Sequence, residues 1–173
     1  MKTIALMLVI IFCAVVPAST VQTPSHCSAS EAVIFSCKIK GSTKILSLCG
    51  SERLSKDTGY LKYRFGPPDA VELTFPKAQK NSLAQFLYLH YFRAQVDRTY
   101  VSFKSGGYKY SIYDDYDGEE KPAKRSRGVT IENEESGPSK ERNLECAGPV
   151  ISHLEKLKMV IPCDKMGGLG DCP

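Results

Sequence analysis

Six cysteines that follow an apolar leader constrain this chain more than any other feature: Cys27, Cys37, Cys49, Cys146, Cys163 and Cys172. The leader explains them. Lys2 supplies a positive n-region, Ile4 to Val16 an apolar h-region, and Val16-Pro17-Ala18 a small-residue cleavage site. Residues 1–18 therefore read as a secretory signal peptide, too short in its apolar run for a membrane span. A seventh cysteine, Cys13, lies inside the h-region after Phe12, where a lipoprotein signal needs a small residue. It is expected to leave with the leader. An even count of cysteines in an oxidising compartment reads as disulfides, so periplasmic or secreted localisation is expected. At least one bridge should run from Cys27, Cys37 or Cys49 to Cys146, Cys163 or Cys172. A loop of roughly a hundred residues closed in this way contributes nearly 5 kcal/mol in the chain-entropy model.

Removing 18 of 173 residues leaves 155, which suits a single β-rich domain over residues 24–173. The leader carries only Lys2, so 22 Lys and Arg then face 19 Asp and Glu, a net charge of +3. That excess is small and evenly spread, which excludes a nucleic-acid footprint. The basic stretches Lys56–Arg64 and Lys121–Arg127 are flanked by acids and read as solvated surface.

Hydrophobic alternation supplies the elements. Val33, Phe35, Cys37 and Ile39 alternate with polar residues, Gly41-Ser42 marks a turn, and Ile45 to Cys49 returns as a second strand. With Gly41 and Ser42 central, Phe35 faces Leu48 and Cys37 faces Leu46. Cys49 then points away from Cys37, which disfavours a bridge between them. Leu61, Tyr63 and Phe65 share a face with Val71, Leu73 and Phe75 across Gly66-Pro67-Pro68-Asp69. Residues 83–94 fit a helical stripe through Leu83, Phe86, Leu87, Tyr91 and Ala94, but their aromatic density favours a strand. Thr99 to Tyr113 is the clearest hairpin. Gly106-Gly107 tolerate the positive φ of a tight turn and set Val101 against Ile112 and Phe103 against Tyr110. Residues 114–127 read as a polar loop, 127–133 as a strand and 134–142 as a second loop. Asn143 to Cys146 reads as a short strand, and Pro149 opens a helix with Val150, Leu154 and Leu157 on one stripe. The expected fold is all-β: an antiparallel barrel or sandwich of about seven to eight strands, disulfide-stapled, with a short C-terminal helix.

Catalytic chemistry finds little purchase. The histidines are His26, His90 and His153, with no nucleophile elbow nearby and no free thiol left by six half-cystines. Zinc spacing is absent, and no cofactor or metal is expected. Asp114-Asp115-Tyr116-Asp117-Gly118-Glu119-Glu120 is dense in carboxylates. An EF-hand alignment, however, puts Tyr113 at the first position and Lys124 at the twelfth, where a glutamate is needed. A solvated acidic loop tip offset by Lys121, Lys124 and Arg125 is expected there.

The remaining signal is Lys104-Ser105-Gly106-Gly107-Tyr108-Lys109-Tyr110, in which bases, a hydroxyl and tyrosines surround a tight turn. Such a tip suits a concave, acidic partner surface. Ser105-Gly106-Gly107-Tyr108 is similar to the Ser-Gly-x-Tyr loop of bacterial periplasmic lysozyme inhibitors, small secreted β-barrels whose loop enters the lysozyme cleft. The tryptophan-bearing stretch of one branch of that family has no counterpart, because the chain has no tryptophan. The resemblance implies that Ser105 and Tyr108 enter a lysozyme-like partner. The expected binding residues are Lys104, Ser105, Gly106, Tyr108 and Lys109. The expected function is therefore that of a non-enzymatic secreted or periplasmic binding protein. The alternative is a small envelope-acting hydrolase with paired carboxylates drawn from residues 114–120 and 132–135.

Overall fold

A computed structural model describes residues 23–135 and 141–165. The signal peptide expected over residues 1–18 and Cys172 lie outside the described residues. Nine strands form one antiparallel sheet: β1 (Glu31–Ile39), β2 (Ile45–Ser51), β3 (Leu61–Gly66), β4 (Leu73–Phe75), β5 (Leu87–Arg93), β6 (Val96–Ser105), β7 (Tyr108–Asp117), β8 (Lys124–Asn133) and β9 (Arg142–Ser152). Their order is β4-β3-β2-β1-β9-β8-β7-β6-β5, so every neighbour is sequential except β1 beside β9. The sheet curls into a half-barrel.

Rings drive the curl. Phe103 on β6 stacks on Phe75 of β4 with centroids 4.4 Å apart, meets Tyr63 of β3 at 4.9 Å, and has Phe86, just before β5, at 5.4 Å. The two ends of the sheet are thus joined by aromatic packing, which contributes beyond its area through the offset and edge-on geometries rings prefer. The inner face also buries Phe35, Leu46, Leu48, Val101, Ile112 and Val129.

The first hairpin has the expected register, Phe35 opposite Leu48 and Cys37 opposite Leu46. So does the β6–β7 hairpin, where Val101 faces Ile112 and Phe103 faces Tyr110. Gly106 and Gly107 take φ of +60° and +77°, the pair of positive values that the turn of a two-residue hairpin needs. Residues 87–93 form a strand, preceded by a single 3₁₀ turn at Leu83–Gln85.

Four expectations are corrected. Residues 114–127 are mostly ladder rather than loop: Asp114 pairs with Arg127, Tyr116 with Arg125 and Asp117 with Lys124. The acidic-then-basic order mirrors about the turn, so opposite charges meet across the strands and support the pairing. The helix from Pro149 is absent. β9 runs on to Ser152, because Phe35 and Ser36 of β1 take Ser152 and Ile151 as partners, and only a 3₁₀ turn follows at Leu154–Leu157. The register of β9 slips by two residues between Ala147 and Ile151, a bulge in which Gly148 takes φ +71° and Pro149, lacking an N–H, is tolerated. The apolar stripe still reaches the core through Leu154 and Leu157. Among the described residues the strand count is nine rather than seven to eight. Val71, expected inside, is 43% exposed, because the backbone bond Glu72 N to Phe65 O closes the turn before β4 begins.

Two disulfides lie wholly among the described residues: Cys27–Cys49 and Cys37–Cys146, the latter with a sequence separation of 109. Cys163 is also disulfide-bonded. Among the described residues no helix is long and apolar enough to cross a membrane.

Candidate functional site

Strand alternation sends every second residue of β6 to β9 away from the core. Those residues are polar: Tyr100 and Ser102 on β6; Lys109, Ser111, Tyr113 and Asp115 on β7; Ser126 and Thr130 on β8; Asn143 on β9. They line a hollow of about 500 Å³ together with Leu89 of β5.

Gly128 gives the hollow its floor. A Cβ there would lie 2.2 Å from Leu144 O and 2.9 Å from the Tyr113 hydroxyl. Tyr113, its cross-strand partner, therefore lies across the glycine and donates to Asn143 Oδ1 at 2.9 Å. Gly128→Ala should lower stability by about 1–3 kcal/mol, since backbone rather than a flexible side chain must yield. A thermal melt checks it; an unchanged midpoint would show that the β8–β9 pair can spread at no cost.

Asp115 is the chemically distinctive group. Its Oδ2 accepts from the Tyr100 hydroxyl at 2.9 Å, while its buried Oδ1 has no hydrogen-bond partner. Burial pushes its carboxyl above the usual range, with Asp114 adding to the rise, against the opposing Tyr100 bond and Arg98 charge. Burial likewise raises Tyr100, helped by the Asp115 charge. Arg98, opposite Asp115 in the ladder, leaves its buried Nε without a partner and reaches Asp117 at 3.4 Å.

The five residues expected at the hairpin tip are not gathered on one side. Lys104 and Lys109 lie on the outer face, and Lys109 lines the hollow. Ser105 and Tyr108 continue the inner-face rows of Phe103 and Tyr110. Gly106 has open space around it, and Tyr108 is 41% exposed. Lys104 is ion-paired with Glu134, whose N–H bonds to Gly107 O at 3.0 Å, so the tip is braced by the segment after β8.

The acids proposed for hydrolysis are dispersed. Asp114 faces inward and takes Arg125 at 2.7 and 2.9 Å and Arg127 at 3.1 Å, which hold its carboxyl below the usual range in spite of burial. Glu119 is paired with Arg93, and Asp117 with Arg98. Asp115 and Glu132 share the hollow. Their ladder partners Ser126 and Lys109 put them six residues apart along the strands, roughly 20 Å at the rise of a strand. Glycosidase carboxyls stand about 5–10 Å apart. Glu145, on β9, is turned to Lys40 Nζ at 3.2 Å.

Neither metal candidate is arranged to hold an ion. Asp114 and Asp115 point to opposite faces of the sheet, as strand neighbours must. Cys27, Glu31 and Cys49 cluster, but both sulfurs are spent in one disulfide and Glu31 is committed to Arg64. His90, expected on a sheet face, bonds Asp97 Oδ1 at 2.9 Å, and the His153 N–H bonds Ile34 O.

Sequence reasoning passed over Tyr100, Ser126 and Asn143, and weighed Asp115 only as part of an acidic loop. The mirrored charges about residues 118–123 were the available signal, because they fix the β7–β8 register and hence which polar residues share a face. No protein-family profile, curated protein or solved structure matches this chain.

Proposed function

We propose that this chain is a non-enzymatic binding protein of the periplasm or the extracellular space, and that it holds its ligand in the β6–β9 hollow. One observation carries the reading. The half-buried Asp115 and the hydrogen-bonding side chains of four neighbouring strands, β6 to β9, wall one hollow of about 500 Å³ on the outer face of the sheet. Asp115 and Glu132, the two acids of residues 114–120 and 132–135 that line the hollow, stand roughly 20 Å apart along the strands, beyond the separation of glycosidase carboxyls. The disulfides are compatible with an oxidising compartment.

The test is capture of envelope material on immobilised protein. Ser126 lies opposite Asp115, so Ser126→Trp covers the carboxyl and should abolish capture. Ser105→Ala with Tyr108→Ala should leave capture intact. The reverse pattern would transfer the binding role to the tip, and turnover of a glycan substrate by the wild type would end the non-enzymatic reading.

Inhibition of a lysozyme-like enzyme is a second reading, favoured by the open surroundings of Gly106 and Gly107 and the exposure of Tyr108. In it the tip enters the enzyme cleft edge-on, Ser105 and Tyr108 to one side and Lys109 to the other. Truncating such an anchor costs about 2 kcal/mol or more, roughly thirtyfold in affinity. A turbidity assay against several lysozyme classes reads it: the tip double variant should lose inhibition by that factor. Absence of wild-type inhibition at micromolar protein would leave an ordinary turn.

A further inference from the structure

We propose that a second copy of this chain pairs with the free edge of β5, joining two sheets about a two-fold axis at Phe92. This contact is independent of any ligand in the hollow.

The sheet ends differently on its two sides. β4 is three residues long and Pro76 follows it, so that edge offers little to pair with. β5 has seven residues, and Leu87 to Phe92 contains no proline, lysine, arginine, aspartate or glutamate, the usual guards of an edge. Its first part is covered from within the chain. The Tyr88 N–H donates to Pro162 O, and Tyr88 O accepts from the Asp164 N–H, each at 2.8 Å. An antiparallel strand turns the backbone groups of alternate residues to the same side. The register of β5 with β6 is unbroken from Leu87 to Arg93, so His90 and Phe92 turn theirs the same way as Tyr88. Among the described residues neither has a backbone partner on that side.

The open stretch is complementary to itself. One end is bounded by Cys163, which bridges to Tyr88, and the other by the turn Ala94-Gln95 that leads from Arg93 back to Val96. A two-fold axis at Tyr91 would set Ala94 opposite Tyr88 and drive it into Pro162–Asp164 of the other copy. An axis at Phe92 sets Ala94 opposite His90 and avoids that segment. The two Phe92 side chains then become cross-strand partners. Phe92 is 64% exposed in the single chain, so its ring has apolar surface to lose. Tyr91 faces Arg93 of the other copy, where a guanidinium meets the face of a ring, and Glu119 already balances the charge of Arg93. No like charges oppose each other. The axis consumes both β5 edges and leaves only the short β4 edges, so assembly closes at two copies. The patch is small, and the dimer belongs to the weak, transient class.

Sedimentation velocity of the disulfide-intact protein, from about 10 µM to about 1 mM, tests the contact in the range of weak association. The mass should rise from that of one chain towards that of two. Phe92→Lys places two cations together on the axis and should weaken association at least tenfold. Its thermal midpoint should be unchanged, because the side chain is exposed in the single chain. Amide exchange supplies a readout on the unaltered protein: the His90 and Phe92 N–H groups should exchange freely in dilute solution and slow together as the mass rises. A single mass throughout the range overturns the proposal, as does association that Phe92→Lys leaves undiminished. Protection of both amides already in dilute solution would show that another part of the same chain covers the edge, and overturns it equally.

Discussion

Replacing Cys37 and Cys146 together by alanine is expected to remove about 5 kcal/mol of stability. The bridge spans 109 residues of sequence, and closing a loop of that length restricts the unfolded chain by about 5 kcal/mol in the entropic account. A domain of this size has roughly 5–15 kcal/mol in total. Its position adds to the argument. β1 beside β9 is the single non-sequential junction of the sheet, and Cys146 is the ladder partner of Ile39 there, two residues from Cys37 on β1. That junction is also where β9 slips register, so its ladder is weaker than the continuous ones of β6, β7 and β8. Cys27–Cys49, with a separation of 22, should matter less, about 3 kcal/mol by the same account. Urea unfolding of both double variants measures the difference. A loss below about 1 kcal/mol for Cys37/Cys146 would mean that the β1–β9 ladder and the aromatic seam between Phe75 and Phe103 hold the halves without help.

Local and global signals agree where the sequence was easy to read. In the β6–β7 hairpin the glycine pair, the alternation and the aromatic partners all name one register, and the chain adopts it. Residues 149–157 show the opposite case. Pro149 and the spacing of Val150, Leu154 and Leu157 suit a helix, yet β1 offers unpaired backbone, and satisfying it outweighs local preference. Pro149 fits either outcome because a bulge and a first helical turn both dispense with its N–H. The hollow was hidden for another reason. Polar residues occupy alternate positions in every half-buried strand, so a solvated face and a ligand face are identical in one dimension. They part only when Gly128 removes a side chain from the floor and Tyr113 folds across it. Disulfide pairing is similar in kind: the hairpin register separates Cys37 from Cys49, but only the long-range β1–β9 contact brings Cys146 to Cys37.

Acid should weaken this protein through Glu31 more than through any other single group. Glu31 opens β1, and its side chain is 2% exposed beside that of Arg64, which is 18% exposed. Burial alone would raise the carboxyl. It is outweighed by the forked guanidinium of Arg64 at 2.6 and 2.9 Å, the Ser28 N–H at 2.8 Å and the Tyr60 hydroxyl at 3.1 Å, which bring it down from 4.5 to about 2. A carboxyl lowered by folding stabilises the native state fully above its unfolded value, and the contribution drains away as pH falls from about 5 through about 2. The difference amounts to about 3 kcal/mol. Arg64 Nη1 also donates to His26 O at 3.1 Å, so the same fork pins the arm that carries Cys27. Glu31→Gln should cost about 3–5 kcal/mol at pH 7, because it strands a largely buried guanidinium. The measurement is the stability of wild type minus that of Glu31→Gln across pH 2–7. Asp114 and Glu119 are also lowered and also titrate there, but they are common to both proteins and cancel in the difference. The difference should stay level above pH 5 and shrink steadily below it. Parallel curves down to pH 2 would mean that the Glu31 carboxyl ionises in the folded chain much as it does in the unfolded one, and that the fork adds geometry without adding stability.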